Sequence, residues 1–180
     1  MKSEQIPDFL IEMSKQLNTQ DNRLTADPLF EVRYKNYLVT ESGYSEHHWE
    51  IIDDEGQTLF HSIDGDFNLL SEHLIEFHED WCSAWLIEND IEIELDVDKF
   101  SEALFDHFDF DYDDLPSDLK KLHMQEVEIT VNSHFTEAGA RAFIKRKQHD
   151  YPKLYTYATS LCYCPQMIEL RGWIKGLSND

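Results

Sequence analysis

The sequence is short of cysteine and glycine, and it has no long apolar run. Three cysteines occur in 180 residues, and two of them, Cys162 and Cys164, are separated by a single residue. An odd number at that spacing makes a poor disulfide framework, which favours a reducing compartment. Six glycines form no phosphate-binding loop, and neither a Gly-x-Ser-x-Gly nor a His-Glu-x-x-His motif occurs.

Membrane and export signals are also lacking. No stretch approaches the ~20 apolar residues that a membrane-spanning helix needs. The first residues lack the apolar segment of a secretory signal peptide. We therefore expect a cytoplasmic protein. Its 41% hydrophobic and 13% aromatic content is typical of a folded chain, because disordered chains contain few aromatic residues.

Basic residues are scarce: 15 Lys and Arg stand against 37 Asp and Glu, a formal net charge of −22. A charge of this sign disfavours direct binding to nucleic acid or to anionic membrane. It favours a cationic partner, and many strongly cationic surfaces in a cell belong to proteins that bind nucleic acid.

The charge is unevenly distributed along the chain. Residues 1–114 contain 30 acids and six bases, whereas residues 115–180 contain seven acids and nine bases. Residues 88–114 alone contain 12 acids and one base, Lys99. We predict a single domain over residues 1–180, with a strongly acidic part (1–114) and a near-neutral C-terminal module (115–180).

Apolar periodicity predicts helices and strands that are intermixed. The predicted helices cover residues 7–17, 69–85, 99–107, 136–148 and 165–175. The predicted strands cover residues 30–34, 49–52, 58–61, 91–97, 127–131 and 154–159. A hairpin joins the second and third strands, with Gly56 supplying the positive φ of its turn. Because no glycine-rich βα turn occurs, we predict an α+β fold: a mostly antiparallel sheet with packed helices.

Acidic residues alternate with apolar ones in the predicted strand 91–97. Such a strand would place four carboxylates on one face, about 6.6–6.8 Å apart, comparable to successive phosphates of a nucleic-acid strand. The alternation fits a solvated polar face, and it also fits a surface that imitates nucleic acid. Crowded carboxylates should raise one another's pKa values. The predicted partner-binding residues are Glu92, Glu94, Asp96, Asp98, Asp106, Asp109, Asp111, Asp113 and Asp114.

Candidate metal ligands are poorly spaced. His78 and Cys82 lie four residues apart in a predicted helix, and with Cys162 and Cys164 they could form a Cys3His zinc site. Small cysteines of the core explain the same residues more simply. The nine histidines form no i, i+4 pair within a predicted helix. No carboxylate pair stands out as a general acid and base. We predict no catalytic residues, no cofactor and no metal.

Two stretches resemble a known group of proteins. Residues Asn22-Arg23-Leu24-Thr25-Ala26-Asp27-Pro28 resemble the opening of small accessory proteins encoded by phages and prophages of Gram-negative bacteria. The run from Phe135-Thr136 through Tyr155-Thr156-Tyr157 to Leu170-Arg171-Gly172-Trp173 resembles their shared C-terminal module. The resemblance implies a small non-structural phage protein, many of which disarm host defences. It implies no residue roles.

Charge and resemblance together predict a phage-encoded inhibitor that occupies a basic nucleic-acid channel of a host defence system, either a CRISPR effector or a restriction enzyme. Its partner would be a basic nucleic-acid-binding protein, with no direct contact to nucleic acid or membrane. Two alternatives stay open. One is a regulatory adaptor that binds a protein through an apolar patch, and the other is a metal-dependent enzyme that uses clustered carboxylates.

Overall fold

The structure is a computed structural model that describes residues 6–110 and 114–178. Five strands form one sheet in the order β3-β2-β4-β1-β5, and the pairs β1–β5, β2–β3 and β2–β4 are antiparallel. This confirms the α+β fold with a mostly antiparallel sheet. In chain order the elements are α1 Asp8–Thr19, β1 Pro28–Thr40, β2 His48–Ile52, β3 Thr58–His61, α2 Asn68–Phe77, α3 Glu79–Glu88, α4 Val97–His107, β4 Lys120–His134, α5 Glu137–Lys147, β5 Tyr155–Ser160 and α6 Pro165–Gly176.

The chain forms two compact units. The neutral unit comprises Met1–Asn36 and Val127–Asp180, and the acidic unit comprises Tyr37–Glu126. The acidic unit contains 26 Asp and Glu but only three Lys, a balance of −23. The neutral unit contains 11 acids and 12 bases, a balance of +1. The charge boundary that the sequence places after Asp114 therefore falls inside the acidic unit, and the excess negative charge of the whole protein belongs to that unit.

The neutral unit has a small apolar core on β1 and α5. Phe30 and Val32 of β1 are fully buried, and they pack with Ala140 of α5 and with Leu154. Helix α5 begins where the Oγ1 atom of Thr136 accepts a hydrogen bond of 3.1 Å from the backbone N–H of Gly139. A threonine in this position satisfies one of the N–H groups that the first turn of a helix leaves without a partner.

The acidic unit has a larger core, built by one hairpin and three helices. Strands β2 and β3 contribute Ile51, Leu59 and Phe60, and the turn between them contains Gly56 at φ +86°. The helices cover this apolar face with the buried side chains of Leu70, Leu74, Cys82, Trp85, Leu86, Phe100 and Leu104. The hairpin predicted from the sequence is confirmed.

The prediction of a single helix over residues 69–85 is wrong, because the helix is interrupted at His78. The backbone there has φ −137° and ψ 39°, so α2 ends at Phe77 and α3 begins at Glu79. The apolar spacing continues across the break, which is why the sequence indicates one helix. Phe77, at the end of α2, is 63% exposed, whereas Cys82 and Trp85 of α3 are buried in the core.

The strand predicted over residues 91–97 is also wrong. Helix α3 ends in a Schellman motif: Asp90 has φ 56°, and the N–H of Ile91 donates to the carbonyl of Leu86 at 2.9 Å. Helix α4 begins only six residues later, at Val97. Residues 91–96 belong to none of the strands in the described part of the chain. The alternation arises because the apolar residues of this segment are half-buried against the core while Glu92 and Glu94 are exposed. The segment makes a hydrogen bond to the end of α3 and, among the described residues, none of the hydrogen bonds of a β-ladder.

Candidate partner-binding surface

The four acids of residues 92–98 do not form a straight row. Glu92 and Glu94 are exposed on the connection between α3 and α4, whose apolar residues pack against the core of the acidic unit. The N–H of Asp96 donates to the carbonyl of Glu94 at 2.9 Å, which bends the connection. Asp98 lies in the first turn of α4. Three of the four carboxylates thus lie on the connection and one lies on a helix, so they lack the regular spacing of a strand.

Asp96 is the N-cap residue of α4, a role that the charge pattern of the sequence does not indicate. Its carboxylate accepts a 3.1 Å hydrogen bond from the backbone N–H of Lys99 and so caps α4. The Nζ atom of Lys99 lies 3.0 Å from Asp96 and 3.2 Å from Glu94. These contacts, above all the backbone hydrogen bond, lower the pKa of Asp96. The sequence-based expectation of a raised pKa is wrong for this residue, because a capping N–H and a neighbouring cation outweigh repulsion between carboxylates.

The second acidic stretch lines a groove with an aromatic floor. Asp106 and Asp109 line a cavity of about 450 Å³ whose other walls include Trp49 and Phe110. The Nζ atom of Lys121 lies 4.7 Å from the ring centre of Trp49 and 5.8 Å from that of Phe110. Both rings are half-buried, and Lys121 shows that this mixture of carboxylates and aromatic rings accommodates a cationic side chain.

The remaining predicted partner-binding residues have different outcomes. Asp114 is exposed, and the Nε1 atom of Trp81 donates to its backbone carbonyl at 3.1 Å. Asp111 and Asp113 lie outside the described residues. The described members of the predicted set all belong to the acidic unit.

The candidate zinc ligands predicted from the sequence, His78 and three cysteines, differ in burial and belong to different units. Cys82 is fully buried in the core of the acidic unit, and burial raises the pKa of its thiol to about 12. A thiol that stays protonated is a poor metal ligand. Cys162 and Cys164 are exposed and belong to the neutral unit. The four candidate ligands are therefore divided between the two units.

Sequence reasoning missed a cluster of two histidines and a carboxylate on the hairpin. The Oε1 atom of Glu50 lies 3.0 Å from Nε2 of His48 and 3.7 Å from Nε2 of His61. The two imidazole rings stack at 4.3 Å. This cluster could have been predicted from the hairpin, because Glu50 of β2 pairs directly with His61 of β3.

A second cluster of the same composition lies at the break between α2 and α3. One ligand atom from each of His73, His78 and Asp118 lies within 4.8 Å of the others. No periodicity indicates this cluster. It depends on the helix break and on a residue that is 40 positions away in the chain.

Among the described residues, no helix combines the length and the apolar character needed to cross a membrane. No family model, curated protein or solved structure matches this chain.

Proposed function

We propose that the acidic unit binds a basic nucleic-acid-binding groove of a host defence protein, a CRISPR effector or a restriction enzyme, and competes there with nucleic acid. The observation that supports this proposal is the confinement of the charge: the 90 residues of the acidic unit have a formal balance of −23, and the rest of the chain is near neutral. Binding, and not catalysis, is the activity proposed, and the host cytoplasm is its setting.

Electrostatics gives the proposal its physical basis. A compact body of such charge attracts cationic surfaces over a distance of about 8 Å at physiological ionic strength, the length over which salt screens charge. It also raises the rate of association with a complementary groove. The same field repels nucleic acid, so the acidic unit acts as its competitor.

The groove beside Asp106 and Asp109 offers a specific contact within that field. Proteins that bind nucleic acid present arginine and lysine to phosphates. An arginine that enters this groove would meet the carboxylates of Asp106 and Asp109, and it would compete with Lys121 for the aromatic rings of Trp49 and Phe110. A planar guanidinium makes paired hydrogen bonds with carboxylates and stacks on aromatic rings. We assign the first contact with the partner to this groove and to Glu92, Glu94 and Asp98.

The neutral unit serves as the scaffold in this proposal. Both stretches that resemble phage accessory proteins lie in it, and the structure brings them into contact: Arg171 donates to Asn22 at 3.0 Å and to Asp27 at 3.1 Å. A shared scaffold that carries an inserted acidic unit would let related proteins differ in their partners. This supports a phage origin by resemblance alone.

An apolar adaptor is the second candidate, favoured by one feature of the acidic unit. The end of β1 and the loop after it expose four apolar side chains: Tyr37, Leu38, Val39 and Tyr44, which are 39%, 48%, 60% and 68% exposed. Binding through this patch would depend little on salt, whereas binding through carboxylates would weaken steeply as salt increases.

The test compares two variants with equal charge changes. The surface variant carries Glu92→Gln, Glu94→Gln, Asp98→Asn and Asp106→Asn, and it retains the capping residue Asp96. The control variant carries Asp54→Asn, Glu55→Gln, Glu72→Gln and Glu76→Gln, which are also exposed and also in the acidic unit. Each protein is immobilised and used to capture binding proteins from a bacterial host lysate, with duplex DNA or RNA added as competitor.

We expect wild type and control to retain a nucleic-acid-binding protein that the competitor releases, and the surface variant to retain at most a tenth as much. Equal losses in both variants would show that charge acts only in bulk. Retention by all three proteins, independent of salt and competitor, would replace the proposal with the apolar adaptor.

A further inference from the structure

We propose that His73, His78 and Asp118 bind one first-row transition-metal ion, with Zn²⁺ the preferred ion. Two imidazoles and one carboxylate form a ligand set typical of zinc and of its neighbours in the periodic table. One potential ligand atom of each residue lies within 4.8 Å of the other two. The proposal goes beyond partner binding and does not depend on it.

The separations in this cluster fit a bound ion. The Nε2 atom of His78 lies 3.1 Å from Oδ2 of Asp118. Zinc–nitrogen and zinc–oxygen bonds of about 2.0–2.2 Å place neighbouring ligands of a tetrahedral ion about 3.3 Å apart. One ligand pair of the cluster is therefore already close to the spacing around a bound ion, and the other separations do not exceed 4.8 Å.

His73 provides an independent observation. Its Nε2 atom is buried and has no hydrogen-bond partner in the part of the chain that the structure describes. Buried polar atoms of side chains nearly always have a partner, so an exception calls for a missing water or ion. A cation held between His73 and the His78–Asp118 pair would give this imidazole a partner.

The helix break explains why these ligands meet. His73 lies on α2, and His78 occupies the junction at which α2 ends and α3 begins. The two rings are 5.7 Å apart although the residues are five positions apart, a spacing that a straight helix does not place on one face. Asp118 lies on the connection that leads into β4. In this proposal the interruption of the helix at His78 brings the imidazoles of His73 and His78 close to the carboxylate of Asp118.

The hairpin cluster is the natural comparison, and each of its three residues makes a hydrogen bond within the protein. The N–H of Ile63 donates to Nδ1 of His61 at 3.2 Å, so a neutral His61 carries its proton on Nε2, the atom that faces Glu50. Thr58 donates to the other oxygen of Glu50 at 3.2 Å. Among the described residues, neither His48 nor His61 has a buried ring nitrogen without a partner, in contrast to His73, so the hairpin cluster serves as the control.

The surroundings also favour a cation at the proposed site. The acidic unit has a balance of −23, which raises the local concentration of divalent ions. Three protein ligands leave one position of a tetrahedral ion open to water or to a side chain of another molecule.

The experiment titrates the full-length protein with ZnCl₂ by isothermal titration calorimetry. The protein carries Cys162→Ser and Cys164→Ser, which remove the two exposed thiols. We expect one zinc ion per chain. His73→Gln and Asp118→Asn should each weaken binding at least tenfold, since even residues that only support a ligand change metal affinity by about 10–100-fold. His61→Gln should leave the affinity unchanged.

A second measurement separates loss of a ligand from loss of the fold. Far-ultraviolet circular dichroism reports whether each variant is folded, and His73→Gln removes no hydrogen bond of the Nε2 atom. NMR signals of the ring protons of His73 and His78 should shift on zinc addition, while those of His48 and His61 stay in place. Absence of stoichiometric binding, or binding that His73→Gln leaves intact or that His61→Gln abolishes, would overturn the proposal.

Discussion

At the level of single side chains, Arg171 is a buried cation of the neutral unit. It is 1% exposed, and its guanidinium donates to the carboxylate of Asp27 and to the side-chain carbonyl of Asn22. The ion pair is buried on the arginine side only, since the side chain of Asp27 is 33% exposed. The side chain thus connects α6 with the segment that enters β1.

We expect Arg171→Ala to lower the free energy of unfolding by about 2 kcal/mol, because hydrogen bonds of a charged group contribute about 1.5–3 kcal/mol. Arg141→Ala is the matched control, because Arg141 pairs with Glu137 at 2.8 Å but its side chain is 70% exposed. Exposed pairs of this kind contribute about 0.3–0.5 kcal/mol. Urea denaturation of both variants measures the difference, and equal losses would contradict the structural role of Arg171.

Among the secondary-structure elements, α4 shows how one acid serves both stability and charge. Asp96 caps the helix through the backbone N–H of Lys99, while Asp98 adds a negative charge to its first turn. Both features suit the positive end of the helix dipole. An acidic residue in this stretch can therefore be necessary for the fold even if it contacts no partner.

We expect Asp96→Ala to lower the melting temperature by about 2–4 °C, because alanine cannot cap the helix. Asp96→Asn removes the same charge but preserves the cap, so its melting temperature should stay within about 1 °C of wild type. Thermal unfolding followed by circular dichroism distinguishes the two. If both variants melt together well below wild type, the charge of Asp96 and not its capping bond supports the helix.

For the molecule as a whole, five carboxyl groups have pKa values below their ordinary values. The pKa values of Glu46, Asp96, Glu128, Glu137 and Asp150 are all lowered, each by specific hydrogen bonds and cations. A carboxyl group whose folded pKa is lowered stabilises the protein above its unfolded pKa. That stabilisation is lost as the pH falls through the folded value. Specific contacts thus set the acid sensitivity of these groups.

Glu137 gives the clearest case. Hydrogen bonds from Arg23, and then from Arg141, lower its pKa below the ordinary value of 4.5. We expect Glu137→Gln to melt below wild type at pH 7, and the difference in melting temperature to shrink as the pH falls below about 4.5. Calorimetric melting between pH 7 and pH 3 measures this difference. A difference that stays constant over the range would show that Glu137 contributes by packing and not by charge.

Local features of the sequence determined most of the secondary structure and the location of the negative charge. Apolar periodicity predicted six strands, of which five form, and it predicted the regions of the six α-helices in the described part of the chain. Gly56 predicted the turn of the hairpin. These signals act between near neighbours. The concentration of acids before residue 114 also indicated the charged half of the chain.

The tertiary structure decided the rest, because it depends on contacts between residues far apart in the chain. Alternation over residues 91–97 could not reveal that no strand pairs with this segment, and the spacing of Leu70, Leu74 and Trp85 could not reveal the break at His78. Only the folded chain places Asp118 beside His78 and Asp27 beside Arg171. The limits of the acidic unit were likewise invisible to local patterns, since its first and last residues lie within the long strands β1 and β4.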